Sequence, residues 1–191
     1  MIRTRVGYAG GTTENPTYRN LGDHTEAIQV EYDPSVVSYK ELLDAFWGNH
    51  NPTFQPWSRQ YISIVFYHDD EQKRLALETK SREAAQLRRE IVTEIVPSSE
   101  FYLAEAYHQK YRLQRVAALT AEFRAIYPDD GDFVSSTAAA RINGYIAGYG
   151  TVGRFQQELD SFGLSPEWRE KLVNIVEKLH PGEVVEQCPI N

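Results

Sequence analysis

Apolar and β-prone positions near the start of the chain recur every second residue: Ile2, Thr4, Val6 and Tyr8 alternate with Arg3, Arg5 and Gly7. A period of two puts the two sets on opposite faces of a strand, and Gly10-Gly11 punctuates its end. The alternation returns in Ile28, Val30 and Tyr32 against Gln29 and Glu31. This predicts a second strand from Thr25 to Asp33, stopped by Pro34 because proline cannot donate to a ladder. The intervening residues read as a loop, and Glu26 falls near the start of the second strand.

The period then changes. Ser38 with Glu41 three residues later forms a capping box, and Leu42, Leu43, Phe46 and Trp47 recur on one face of a helix predicted from about Tyr39 to Asn49. The β-branched and aromatic run Tyr61 to Tyr67 predicts a strand, and the Glu-, Lys-, Ala- and Arg-rich run from Asp69 to Arg89 a long polar-faced helix. Ile91 to Val96 can form a further strand ended by Pro97. From Tyr107 onward the pattern is helical, broken at Pro128-Asp129-Asp130-Gly131 and at Gly163-Leu164-Ser165-Pro166, where Ser165 suits an N-cap and Pro166 the first helical position.

Strands early and helices later, without strict alternation, favour an α+β fold, a mixed or antiparallel sheet with helices packed on it, over a doubly wound one. There is no internal repeat and no low-complexity linker. The 191 residues fit one domain, read as residues 1–115 carrying the α+β core and residues 116–191 as a helical C-terminal extension packed on it.

Composition narrows the function classes. Twenty Lys+Arg against 27 Asp+Glu, with no long basic run, argue against a surface that tracks nucleic-acid phosphates. No apolar run approaches the roughly 20 residues needed to span a bilayer, so the expectation is a cytoplasmic protein with no membrane partner. The single cysteine, Cys188, rules out an intrachain disulfide and a CxxC metal knuckle.

Candidate chemistry is concentrated in Asn15-Pro16-Thr17-Tyr18 and Gly22-Asp23-His24-Thr25-Glu26. These place a phenol and a carboxylate at the two ends of a loop that leads into a strand, the groups needed to hold and protonate a polar oxygen. His24 and Glu26 form an H-x-E pair with His50 further on, but no H-E-x-x-H helix or cysteine partner supports a metal site, and none is expected. Gly7, Gly10 and Gly11 lack dinucleotide-fingerprint spacing and more plausibly allow a sharp turn beside a pocket. No cofactor is expected.

With Thr4-Arg5-Val6-Gly7-Tyr8-Ala9-Gly10-Gly11 before these motifs and Ile28-Gln29-Val30-Glu31-Tyr32-Asp33-Pro34 after them, the segment resembles the peptide-methionine (S)-S-oxide reductase family. The resemblance continues through Ser38 to Trp47, His50-Asn51-Pro52-Thr53, Arg59-Gln60-Tyr61, Phe66-Tyr67-His68 and Phe101-Tyr102-Leu103-Ala104-Glu105-Ala106-Tyr107-His108-Gln109. It is weaker at Ser136 to Arg141. It implies a ferredoxin-like core and reduction of the S-epimer of methionine sulfoxide, free or in proteins, with thioredoxin or glutaredoxin as reductant. Glu26 then matches the family's acid, and Tyr18 and Tyr61 match the tyrosines that hold the sulfoxide oxygen. Phenols suit that task because they donate without bringing a charge. Burial where the strand begins would raise the Glu26 pKa and keep the acid protonated.

Two departures stand out. The family's acidic residue before the second tyrosine is absent from Pro56-Trp57-Ser58-Arg59-Gln60-Tyr61, where Trp57, with His24, is expected to line the substrate pocket instead. The family's Gly-Cys-Phe-Trp-Gly motif, which carries the nucleophilic cysteine, is not found in these residues either. One expectation is therefore an incomplete chain whose full form carries cysteine or selenocysteine at that point; the other is a nucleophile-free relative that binds methionine sulfoxide or another small polar ligand without turnover. Cys188, in Glu186-Gln187-Cys188-Pro189, stands where many relatives carry a resolving thiol, though acidic neighbours raise rather than lower a thiol pKa. An interaction protein built on the helices from Tyr107 to His180 is a third class without positive support.

Overall fold

A computed structural model describes residues 2–181, so Cys188 lies outside the described residues. The chain forms two compact units, Met1–Glu105 and Ala106–Asn191.

In the first unit, β1 (Arg3–Ala9) and β2 (Thr25–Glu31) pair antiparallel over their whole length, from Arg3 opposite Glu31 to Ala9 opposite Thr25. Both strands follow the period of two in the sequence. A two-residue strand, β5 (Tyr102–Leu103), lies antiparallel on the other side of β1, giving the order β2-β1-β5. Close approach explains Gly7 here, since a Cβ at that position would sit 2.3 Å from the Tyr102 carbonyl oxygen.

A second sheet joins β3 (Ile64–Tyr67) and β4 (Glu94–Pro97) in parallel, with α2 (Asp70–Leu87) connecting them. The α+β class read from the sequence holds, with the described strands divided between one antiparallel and one parallel sheet. Helix α1 (Tyr39–Gly48) starts at the expected capping box: the Ser38 hydroxyl accepts from the Glu41 N–H and the Glu41 carboxylate accepts from the Ser38 N–H. It buries Leu43 and Trp47 against Val65, Ala76 and Ile91.

Three strands are shorter than the sequence predicts: β2 ends at Glu31 rather than Asp33, and β3 and β4 start late. Arg59–Tyr61 form a 3-10 turn capped by Ser58, so β3 starts only at Ile64. The backbone of this segment is committed elsewhere, because the Thr25 hydroxyl donates to the carbonyls of Gln60 and Ile62. Likewise, the Val92 N–H is spent on the Pro52 carbonyl, which leaves β4 to begin at Glu94.

The second unit is helical: α3 (Tyr111–Gln114), α4 (Ala117–Ile126), α5 (Asp130–Ser135), α6 (Thr137–Tyr145), α7 (Val152–Glu158) and α8 (Pro166–Leu179). Its core joins Leu113, Leu119, Phe123, Phe133, Ile142, Phe155, Phe162 and Leu172, all fully or almost fully buried. Each such side chain contributes about 1.5–3 kcal/mol from removal of apolar surface from water. The breaks fall where the turn residues predicted them. The Asp129 carboxylate caps α5 by accepting from the N–H groups of Gly131 and Asp132. At α8, Pro166 takes the first turn, but the Ser165 side chain makes no cap bond; its N–H donates instead to the Glu122 carboxylate.

Candidate functional site

All the described candidate residues belong to the first unit. The chain leaves β1 at Ala9 through Gly10, whose φ of +81° is open to glycine at no steric cost. The loop that follows is closed at its base by two adjacent residues. The Asp23 carboxylate accepts from the N–H groups of Thr12 (2.8 Å) and Thr13 (3.1 Å) and from both threonine hydroxyls. These donors, the Thr12 N–H foremost, hold the Asp23 carboxyl far below the usual carboxylate range. Beside it His24 is 1% exposed. Its Nδ1 accepts from the Gly11 N–H at 3.2 Å and its Nε2 lies 2.8 Å from the Thr13 carbonyl, so Nε2 carries the proton. The Tyr102 ring meets the imidazole edge-on, with centroids 5.4 Å apart.

This placement corrects the expectation that His24 lines the pocket. The imidazole is turned inward and both nitrogens are spent on the loop backbone, so it holds the loop rather than facing a ligand. His50 is engaged too, with Nδ1 2.8 Å from the Phe46 carbonyl. Among the described residues no group of three or more His, Cys, Asp or Glu could hold a metal ion.

At the tip of the loop Thr17 and Asn20 bridge each other, and Tyr18 between them is 43% exposed. The Tyr18 N–H donates to Glu105 Oε1 at 3.0 Å. The other oxygen of that carboxylate accepts the Tyr8 hydroxyl at 2.6 Å. Tyr8 is almost fully buried in β1 and stands opposite Glu26 on one side and Tyr102 on the other. Directly opposed positions share a sheet face, so Glu26, Tyr8 and Tyr102 line one face across three strands.

Glu26 is exposed, not buried as expected. It is the second residue of β2, and among the described residues the strand leaves it open to solvent. Its Oε1 accepts a 2.7 Å hydrogen bond from the side-chain amide of Gln60. The neighbouring Tyr61 is 48% exposed, and Trp57, 88% exposed, meets its ring edge-on with centroids 6.0 Å apart. Arg59 holds the turn from the other side, donating to the Asp23 carbonyl at 3.2 Å and pairing with Glu94 at 3.3 Å.

The structure thus brings Glu26, Tyr61 and Trp57 into one run of contacts through Gln60, and fixes Tyr18 to the strand opposite Glu26 through Glu105. Sequence reasoning missed both connecting residues. Gln60 and Glu105 were visible only as members of quoted motifs, because a lone glutamine or glutamate shows no periodicity or spacing that would single it out. A cavity of about 440 Å³ lies beside the loop, lined by Gly11, Thr12, Glu14, Asn15, Glu100 and Tyr102. None of the candidate residues lines it; Tyr18, Glu26, Trp57 and Tyr61 are exposed, and His24 is buried.

Comparison with known proteins gives the same assignment for the whole segment. Residues 1–131 match the family model described as peptide methionine sulfoxide reductase, and residues 129–177 match that of the selenoprotein methionine sulfoxide reductase A helical domain. Peptide methionine sulfoxide reductase of Drosophila melanogaster is 45% identical over 172 residues, 89% of this chain and 69% of its own length. Peptide methionine sulfoxide reductase A5 of Oryza sativa subsp. japonica is 42% identical over 77% of this chain and 59% of its own length. Peptide methionine sulfoxide reductase MsrA of Methanosarcina acetivorans is 48% identical over 58% of this chain and 65% of its own length. The chain therefore spans about three fifths to two thirds of these relatives. Among solved structures, the reduced form of Mxr1 from Saccharomyces cerevisiae superposes with a TM-score of 0.55 at 31% identity, over 59% of this chain and 70% of that one.

Proposed function

The chain belongs to the peptide methionine sulfoxide reductase family, and from that membership we propose that it binds the S-epimer of methionine sulfoxide, free or in proteins, and in its complete form reduces it to methionine. Tyr18 and Tyr61 hold the sulfoxide oxygen and Glu26 supplies its proton. The observation that supports this reading is the Gln60 bridge, which ties the Glu26 carboxylate to the turn that carries Tyr61.

The chemistry asks for these groups. A thiolate or selenolate attacks sulfur with its electron pair while the oxygen takes a proton from the acid; the S–O bond breaks, and the oxygen, returning as hydroxide to the nucleophile's sulfur or selenium, displaces methionine as the bond between nucleophile and substrate sulfur breaks. The sulfoxide is reduced by two electrons to the thioether, and the nucleophile is oxidised to a sulfenic or selenenic acid. A dithiol of the thioredoxin or glutaredoxin class then returns it to the reduced state. Two phenols stabilise negative charge on the departing oxygen without carrying charge themselves.

A second reading, binding without turnover, is favoured by the sequence itself, since these 191 residues hold one cysteine, Cys188. Titration of the 191-residue protein with each epimer, followed by a dithiothreitol-dependent assay, separates the two. Preferential binding of the S-epimer, weakened in Tyr18→Phe and Tyr61→Phe, supports the site. Turnover that is lost in Cys188→Ser assigns the nucleophile to Cys188, and binding without turnover supports the second reading. Equal affinity for both epimers, or none for either, overturns the site.

A further inference from the structure

We propose that Glu105 is a positioning residue that sets the place of Tyr18 over the sheet. The inference rests on the reading of Tyr18 as an oxygen ligand. It starts from a division of labour within the loop. Asp23 and His24 bind Thr12, Thr13 and Gly11, which fixes the base of the loop. The Thr17–Asn20 bridge closes the tip on itself and says nothing of where the tip sits. Glu105 makes that connection. It accepts the Tyr18 N–H at Oε1 and the hydroxyl of buried Tyr8 at Oε2, using two oxygens of one rigid carboxylate.

Tyr8 is in turn fixed by its pairing between Glu26 and Tyr102. The path from one end of the site to the other is then Glu26, Tyr8, Glu105, Tyr18, made of strand register and two charge-assisted hydrogen bonds, which are shorter and stronger than neutral ones. A displacement of a bound group by about 1 Å is enough to lose much of an oriented contact. The carboxylate therefore acts on the sulfoxide through Tyr18 and does not touch it.

The test pairs a probe of the contact with a probe of the site, in the 191-residue protein. Amide hydrogen exchange at Tyr18 is compared in wild type, Glu105→Ala, Glu105→Gln and Tyr8→Phe, together with the dissociation constant for methionine S-sulfoxide. Removal of the acceptor in Glu105→Ala is expected to speed Tyr18 exchange by about tenfold or more and to weaken binding by about tenfold. Glutamine retains an oxygen for the Tyr18 N–H, and its NH₂ group can donate to the Tyr8 hydroxyl, so Glu105→Gln is expected to recover most of the affinity. Tyr8→Phe, which keeps the carboxylate but removes the Tyr8 donor from it, should fall between. A role in stability alone would lower the unfolding midpoint of Glu105→Ala while leaving the affinity of the folded fraction unchanged, and would overturn the inference. So would unchanged Tyr18 exchange. If Glu105→Ala does not fold, Tyr8→Phe and Glu105→Gln carry the same comparison. If wild type binds no sulfoxide, the functional reading fails, and Tyr18 exchange still decides whether Glu105 places the loop.

Discussion

The side-chain amide of Gln60 donates to Glu26 Oε1 at 2.7 Å, so the carboxylate at the head of β2 is tied to the turn that carries Tyr61. An amide suits this place because it works with either protonation state of its partner. It donates to a carboxylate and, turned over, accepts from a carboxylic acid. The expectation is that Gln60→Leu weakens S-sulfoxide binding several-fold while lowering stability by no more than about 1 kcal/mol, the size of one exposed neutral hydrogen bond. Titration calorimetry and urea unfolding of the same preparation check both halves, and unchanged affinity would count against the pairing.

The loop base gives a contrasting case, where stability and not binding should respond. His24→Phe preserves the ring stacked edge-on against Tyr102 but leaves the Gly11 N–H and the Thr13 carbonyl without their partners. Both groups belong to half-buried residues, so each costs about 1 kcal/mol, the low end of the range for an unsatisfied buried group, and a loss of about 2 kcal/mol is expected in denaturant unfolding. A loss below about 1 kcal/mol would mean that the loop re-forms its bonds elsewhere.

How far the sequence foretold this arrangement depends on the kind of signal. The alternation in Ile2 to Tyr8 and Ile28 to Tyr32, the Ser38–Glu41 box and the Pro128 and Pro166 breaks each act within a few residues, and each appears in the structure. β5 has two residues and exists because Gly7 lets it approach β1, so no local pattern could announce it. Tyr61 was read as part of a strand on its β propensity, but Thr25, distant in sequence, captures the Gln60 and Ile62 carbonyls and bends the segment into a turn. The exposure of Glu26 was misjudged for a related reason: periodicity says which residues share a face, not whether another element covers that face.

Trp57 offers a direct optical test of the open surface. It is 88% exposed beside Tyr61, whereas Trp47 is buried in the core of the first unit. Trp57→Ala is expected to change stability by less than about 0.5 kcal/mol, as exposed positions usually do, yet to weaken binding of a sulfoxide-containing peptide several-fold. Loss of an acrylamide-quenchable fluorescence component in Trp57→Ala, and its protection by the peptide in wild type, would place the ring at the ligand. A peptide that protects no component would remove Trp57 from the site.

Asp23 links the loop to pH, and the sign follows from its hydrogen bonds. Donation from Thr12 and Thr13 depresses the folded-state pKa below the ordinary carboxylate value. A depressed pKa means that the folded state binds the proton less readily than the unfolded chain, whose Asp titrates near about 3.9. The stabilisation is therefore fully present above that value and is lost as pH falls through it towards the folded value. Asparagine keeps one acceptor oxygen but lacks the charge. The difference in urea midpoint between wild type and Asp23→Asn should accordingly stay constant from about pH 7 to about pH 5, then shrink on further acidification. Taking the difference cancels the other carboxylates that titrate in the same range, provided none of them couples to Asp23. A difference that grew in acid would reverse the sign and show that the Asp23 carboxylate destabilises the loop whose base it closes.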